Sequence, residues 1–156
     1  MCDVGCLVKG NVLDFLLAGR CKTTIKSSKT GQKFTYQINV RKEDKDKKIG
    51  DTIYFIQLAY GYMKFQYAGL MKINRETGEV SYCQGKKGKC SYDSPSIKGL
   101  TWLIKRELTG RDTDGLMVYH LGYCAKCGRE LTDPVSIEYG LGPTCRKNVV
   151  SKENAY

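Results

Sequence analysis

The period of apolar positions changes along the chain. "KFTYQINVR" alternates strictly, with Phe34, Tyr36, Ile38 and Val40 on one side and Thr35, Gln37, Asn39 and Arg41 on the other, which predicts a half-buried strand. "DTIYFIQLAY" is apolar on both sides and reads as a central strand. "YMKFQYAGLMKI" alternates again and predicts Met63, Phe65, Tyr67, Met71 and Ile73 on one face. "SKTGQKFTY" and "RETGEVSY" each set Thr-Gly before a strand, as in a glycine-closed hairpin. Two stretches have a helical character. "VLDFLLA" follows Asn11, a good cap, and "SPSIKGLTWLIKREL" has Ser94 as cap, Pro95 at the first helical position and Gly110 just past the end. In the second, Ile97, Leu100, Ile104 and Leu108 share a face that predicts packing on a sheet. The expected fold class is α+β, an antiparallel β-sheet with a packed helix.

Charge changes this picture more than composition does. The chain of 156 residues suits one core plus a small appended module, and 41% hydrophobic residues are enough to fold it. Its net charge of +10 draws phosphate polymers and acidic surfaces from a distance, although a solvated lysine face is the plainer explanation of the same number. "RKEDKDKKIGD" and "QGKKGKCSYDS" read as charged loops, mobile without a ligand. Trp102 falls on the other side of its helix, near Lys98, Lys105 and Arg106. It either packs beneath the C-terminal module or presents an exposed ring for stacking a base.

The N-terminal "LLAGRC" has the look of a lipoprotein cleavage box, but no basic leader precedes it and Asp14 interrupts the apolar run. No stretch is long enough to span a bilayer. With no export signal and with clustered cysteines, the expected setting is the reducing cytoplasm, with no membrane partner.

Chemistry concentrates near the C-terminus. The spacing H-x3-C-x2-C-x17-C sets out His120, Cys124, Cys127 and Cys145. Two cysteines separated by two residues can both point at one tetrahedral ion from a tight turn, and Gly128 permits the left-handed backbone such a turn needs. Three thiolates and an imidazole make a donor set that Zn2+ accepts as a closed structural site. His120 is the fourth ligand by elimination, and Cys83 or Cys90 could stand in its place. A redox C-x-x-C would sit between a strand and a helix starting at the motif, whereas "CAKCGRELTDP" breaks into a glycine turn, and the spacing matches no ferredoxin run. Asp133 and Pro134 predict a short helix before "GLGPTC". Cys2, Cys6 and Cys21 read as plain thiols. The expected division is a basic β-rich domain with N-terminal and central helices over residues 1–115 and a zinc-binding module, treble-clef-like or ribbon-like, over residues 116–156.

The stretch "CGRELTDPVSIEYGLGPTC" resembles the C-terminal motif of an uncharacterised family of phage and prophage proteins, a domain of unknown function, which repeats C-x2-C-G-R-x-L-T-D-P-x-S-I-x-x-G-x-G-P-x-C after a basic, β-rich segment. "FLLAGRCKTTIKSSKTGQKFTY" and "SPSIKGLTWLIKREL" are similar to the opening and central parts of that family. The resemblance covers most of the chain, strongly over the last third. It implies a phage or mobile-element origin and a zinc site on Cys124, Cys127 and Cys145, and it supplies no function.

Catalysis is not expected as long as four protein ligands close the zinc site; were His120 not a ligand, the open position would revive a hydrolytic reading. A single histidine that binds zinc cannot also serve a nucleophile as base, and "GKKGKCS" lacks the spacing of a phosphate loop. Two classes of function remain. The first is a nucleic-acid-binding accessory protein that uses Lys29, Lys33, Arg41, Lys42, Lys45, Lys47, Lys48, Lys86, Lys87 and Lys89 on the loops, with Lys126, Arg129, Arg146 and Lys147 on the zinc module, to neutralise phosphates. Tyr60, Tyr62 and Trp102 are its candidate stacking residues. The second is an inhibitor that docks on a host or defence protein and blocks it.

Overall fold

The computed structural model describes residues 6–8, 11–45, 47, 49–113, 115–132 and 134–142. The fold is α+β. Seven strands, β1 (Cys6–Leu7), β2 (Arg20–Ser27), β3 (Lys33–Val40), β4 (Asp51–Gly61), β5 (Lys64–Asn74), β6 (Glu79–Cys83) and β7 (Leu116–His120), form one sheet in the order β1-β7-β2-β3-β4-β5-β6. Every neighbouring pair is antiparallel. From β2 to β6 the chain meanders through two Thr-Gly hairpins expected from the sequence, a longer loop between β3 and β4 and the short β4–β5 turn. Helix α2 (Pro95–Leu108) then carries it back so that β7 enters beside β2. The first strand of the C-terminal segment therefore lies inside the sheet.

Among the described residues, helices cover one face of the sheet. In α1 (Val12–Leu16), capped by the Asn11 side chain on the Asp14 N–H at 2.8 Å, Leu13, Phe15 and Leu16 are buried. In α2, Ile97, Leu100, Leu103 and Ile104 are buried, and Leu108 is half-buried at the end. They meet Tyr36, Ile38, Tyr54, Ile56, Met71 and Ile73 from the sheet. Two tyrosine hydroxyls hold the layers together: Tyr36 donates to the Ser96 carbonyl at 2.7 Å and Tyr54 to the Leu17 carbonyl at 2.9 Å. Each satisfies a polar group that burial would otherwise leave costly. Arg75, at the end of β5, reaches the buried Asp14 of α1 at 3.6 Å.

The face of β5 differs from simple alternation. Ile56 pairs with Gly69 but Gln57 pairs with Tyr67, so Ala68 is an extra residue on β5. This bulge inverts the alternation. Met71 and Ile73 point into the core, whereas Phe65 and Tyr67 share the opposite face with Phe55, whose ring meets Tyr67 edge-on at 6.3 Å. The expectation of a single face for all five residues fails at Ala68 because the register belongs to the pair of strands.

The bulge also anchors the basic loop after β6. The Tyr82 hydroxyl lies 2.7 Å from the carbonyl oxygens of both Ala68 and Cys90, and the Lys89 and Cys90 N–H groups donate to the Tyr67 and Ala68 carbonyls at 3.0 and 3.3 Å. The loop is thus stitched to the sheet, unlike the free loop the sequence suggested. Gly69 makes the close approach possible, since a Cβ there would lie 2.8 Å from the Cys83 carbonyl and overlap the Tyr82 ring. Gly69→Ala is expected to cost about 1–3 kcal/mol of stability, as overpacking of a buried site does, measured by urea denaturation against the unaltered chain.

Candidate functional site

The cysteine knuckle follows directly from β7. Cys124 is buried, and its sulfur is ringed by donors: the N–H groups of Gly142 at 3.3 Å, of Lys126 and of Cys127, together with the Cys127 thiol. Burial pushes this thiol up, but the N–H groups outweigh it and hold it below the ordinary thiol value. Gly128, at φ +81°, closes the turn by donating to the Cys124 carbonyl at 2.9 Å. A bridge between Tyr123 and Glu130 ties its two flanks. Donors aimed at a thiolate sulfur are the surroundings a metal-bound cysteine has, so the pair fits zinc. Among the described residues no group of three or more His, Cys, Asp or Glu forms a metal cluster. Cys145, like Arg146, Lys147, Lys48 and Asp133, lies outside them.

His120 faces the core, fully buried beside Phe15. Its Nδ1 accepts the Gly122 N–H at 3.0 Å, and its Nε2 donates to the Ile137 carbonyl in α3 (Pro134–Tyr139). Burial lowers its pKa, and these two bonds suit the neutral ring. Both nitrogens are engaged with backbone. The other proposed fourth ligands are remote from the knuckle: Cys83 is exposed on β6, at the far edge of the sheet, and Cys90 is half-buried in the loop stitched to β5. Cys21 is a buried thiol whose pKa burial raises.

Beside the knuckle, the structure brings together cations that the sequence keeps apart. A cleft of about 890 Å³ opens where β2 begins and β3 ends. Arg20 and Lys22 reach it from β2, Lys42, Lys45 and Lys47 from the charged loop, and Lys126 from the knuckle; Gln37 and Asn39 add polar groups from β3. The Lys22 ammonium sits 4.8 Å from the centre of the Tyr123 ring, and the Arg20 guanidinium reaches the Cys127 carbonyl at 3.5 Å. Charge patterning alone missed Arg20 and Lys22, because they belong to a strand and not to a loop.

The lysine wall of this cleft is held by one carboxylate. Asp44, 3% exposed in a short 3-10 turn, accepts Arg41 Nε at 3.1 Å, Arg41 Nη2 at 3.2 Å and the Ile53 N–H at 2.9 Å, with Lys47 Nζ at 3.6 Å. Burial raises its pKa, yet these bonds prevail and hold the carboxyl below the usual range. Arg41 is therefore engaged within the loop.

The remaining candidates lie elsewhere. Lys86, Lys87 and Lys89 are exposed beyond β6 at the other edge, Lys33 is exposed at the start of β3, and Arg129 is exposed on the knuckle. Trp102 is 42% exposed and stacks with Arg106 at 4.8 Å, lining a shallow depression with Lys29 and Lys98. Tyr60 and Tyr62, 66% and 85% exposed, mark the tip of the β4–β5 hairpin.

Compared with known proteins, residues 116–150 match the family of unknown function DUF6011, a span that takes in β7, the knuckle and α3. No curated protein and no solved structure matches the chain. No helix among the described residues is long and apolar enough to cross a membrane.

Asp44→Asn is expected to destabilise the fold by about 1–3 kcal/mol at neutral pH, through the weakening of charge-assisted bonds at a buried site. A depressed carboxyl pKa gives stability that is present above the unfolded value of about 3.9 and is lost as pH falls through the folded one. The gap between variant and unaltered protein should therefore narrow below that pH, read from urea midpoints at a series of pH values.

Proposed function

We propose that this is a phage-type protein that binds nucleic acid through the phosphate backbone as a non-catalytic accessory factor, acting in the host cytoplasm, with a zinc ion fastening its C-terminal segment. The observation that carries the reading is the cleft, where Arg20, Lys22, Lys42, Lys45, Lys47 and Lys126 converge. A concavity lined by one sign of charge focuses the field and favours a polyanion over scattered surface contacts. The buried Asp44 supports this reading because it holds the lysine wall in place before any ligand arrives, which lowers the ordering cost of binding. The sole histidine is bonded to two backbone groups, so it is not set beside a nucleophile as a general base.

For zinc, the residues proposed to hold the ion are Cys124, Cys127 and Cys145. His120 would join them only by releasing Gly122 or Ile137, and its present bonds favour a role in joining β7 to α3. The ion would supply rigidity to the segment that presents Lys126 to the cleft.

Protein purified without chelators should carry about one zinc ion per chain. Cys124→Ser is expected to lose it and His120→Gln to keep it, by elemental analysis and by the thiolate-to-metal absorption of the cobalt-substituted forms. Absence of metal in the unaltered chain would overturn the zinc assignment.

Binding to random oligonucleotides should weaken steeply as salt rises. Replacing Lys42, Lys45 and Lys47 together by alanine is expected to reduce the slope of log affinity against log salt by about one for each phosphate that is no longer neutralised. If no oligonucleotide binds even at low salt, the nucleic-acid reading fails and docking on a host protein takes its place.

A further inference from the structure

The sheet has a second face that no described helix buries. Alternation and register assign its residues. Tyr119 of β7 lies opposite Thr24 of β2, Lys22 opposite Gln37 of β3, Asn39 opposite Phe55 of β4, and Gln57 opposite Tyr67 of β5. Tyr119, Phe55 and Tyr67 are half-buried, in contrast to Tyr36 and Tyr54, which point to the helices and are buried. Phe55 and Tyr67 meet edge-on, and neither ring is fully buried. Between the two aromatic stations, which lie three strand spacings across the sheet and four residues along it, about 20 Å apart, are the lysines and polar residues of β2 and β3.

The charge of this face is uneven. Lys22, Lys26 and Lys33 occupy the rows of β2 and β3, whereas its two strand carboxylates, Asp51 and Glu79, stand at the opposite corner, Asp51 within 4.0 Å of Lys72. Lys22 and Gln37 belong both to this face and to the basic cleft, so the two surfaces are continuous.

We propose that this open face is a stacking platform for a single-stranded polynucleotide, with bases on Phe55 and Tyr67 and phosphates on the lysines of β2 and β3. The proposal rests on the nucleic-acid reading above and narrows it. A duplex keeps its bases paired and offers a flat sheet only phosphates. A single strand can turn unstacked bases onto aromatic rings while its backbone follows the cations. Rings without cations would suit any apolar partner, and cations without rings any polyanion; this face has both, in adjacent rows. The strand would leave the platform past Lys22 and enter the cleft beside the knuckle.

The test uses the full zinc-loaded chain and fluorescence anisotropy with oligothymidylate, oligouridylate, a duplex of equal length and inorganic polyphosphate as a competitor without bases. At matched salt, one or both single strands should bind at least about tenfold more tightly than the duplex. Phe55→Leu and Tyr67→Leu, which keep an apolar side chain, should each weaken single-strand binding about tenfold and leave duplex binding unchanged, with unchanged thermal melting as the check on folding. Should either variant fold poorly, photocrosslinking of oligothymidylate to the unaltered chain replaces it. Crosslinks on the peptides carrying Phe55 and Tyr67 support the platform, and crosslinks confined to α2 or the loop after β6 overturn it. Equal affinity for single strand and duplex, with both variants neutral, overturns the platform while the basic-cleft reading stands. Failure of every nucleic acid and of polyphosphate to bind overturns both.

Discussion

The extra residue at Ala68 sets the relation between the two faces of the sheet. Without it, Phe65 and Tyr67 would share a side with Met71 and Ile73 and compete with the helices for the core. With it, the bulged strand sends methionine and isoleucine inward and two aromatic rings outward. The same bulge supplies carbonyls to the Tyr82 hydroxyl and to the Cys90 N–H, so one local irregularity fixes both the facing of β5 and the position of the loop beyond β6. A bulge is tolerated here because Gly69 lets the Tyr82 ring approach the backbone.

The distribution of charge follows from similar constraints. A net charge of +10 destabilises any compact chain by self-repulsion, yet the fold gathers several cations at one corner. Asp44 is one means of doing so. Removing a carboxylate from water is costly, and here that cost is offset by bonds to Arg41 and the Ile53 N–H and by the nearby Lys47 ammonium, while Lys42 and Lys45 line the cleft. The knuckle forms the other wall. Its Cys124 N–H and Ala125 N–H bond to the Arg129 and Gly140 carbonyls, and the Arg20 N–H bonds to the Ala125 carbonyl, so cysteines, α3 and β2 hold one another.

Much of this architecture was legible in the sequence. Helix α2 announced itself through Pro95, the spacing of Ile97, Leu100 and Ile104, and Gly110, because capping and periodicity are local properties. The Thr-Gly hairpins and the half-buried β3 were legible for the same reason. The facing of Phe65 and Tyr67 was not, since a bulge is decided by the pairing of two strands and leaves no mark in the alternation of one. The cleft was hidden for a related reason. Arg20, Lys42 and Lys126 are far apart in sequence, and only the entry of β7 beside β2 brings the knuckle to the start of β2. The two cysteines and Gly128 were read correctly as a tight turn, whereas the bonds that turn His120 toward Gly122 and Ile137 depend on where α3 packs.

The position of β7 in the sheet has a consequence for how the chain acquires its structure. Thr23 and Tyr119, joined by a hydroxyl-to-carbonyl bond of 2.7 Å, are separated by 96 positions. The meander from β2 to β6 can form from neighbours in sequence, but β2 keeps an unpaired edge until more than half the chain beyond it has been made. During synthesis that edge is a template for any passing strand, and Lys22 and Lys26 along it are the charges that discourage such pairing. Closure by β7 is thus a late, entropically expensive step, and the segment that carries the cysteines is also the one that completes the sheet.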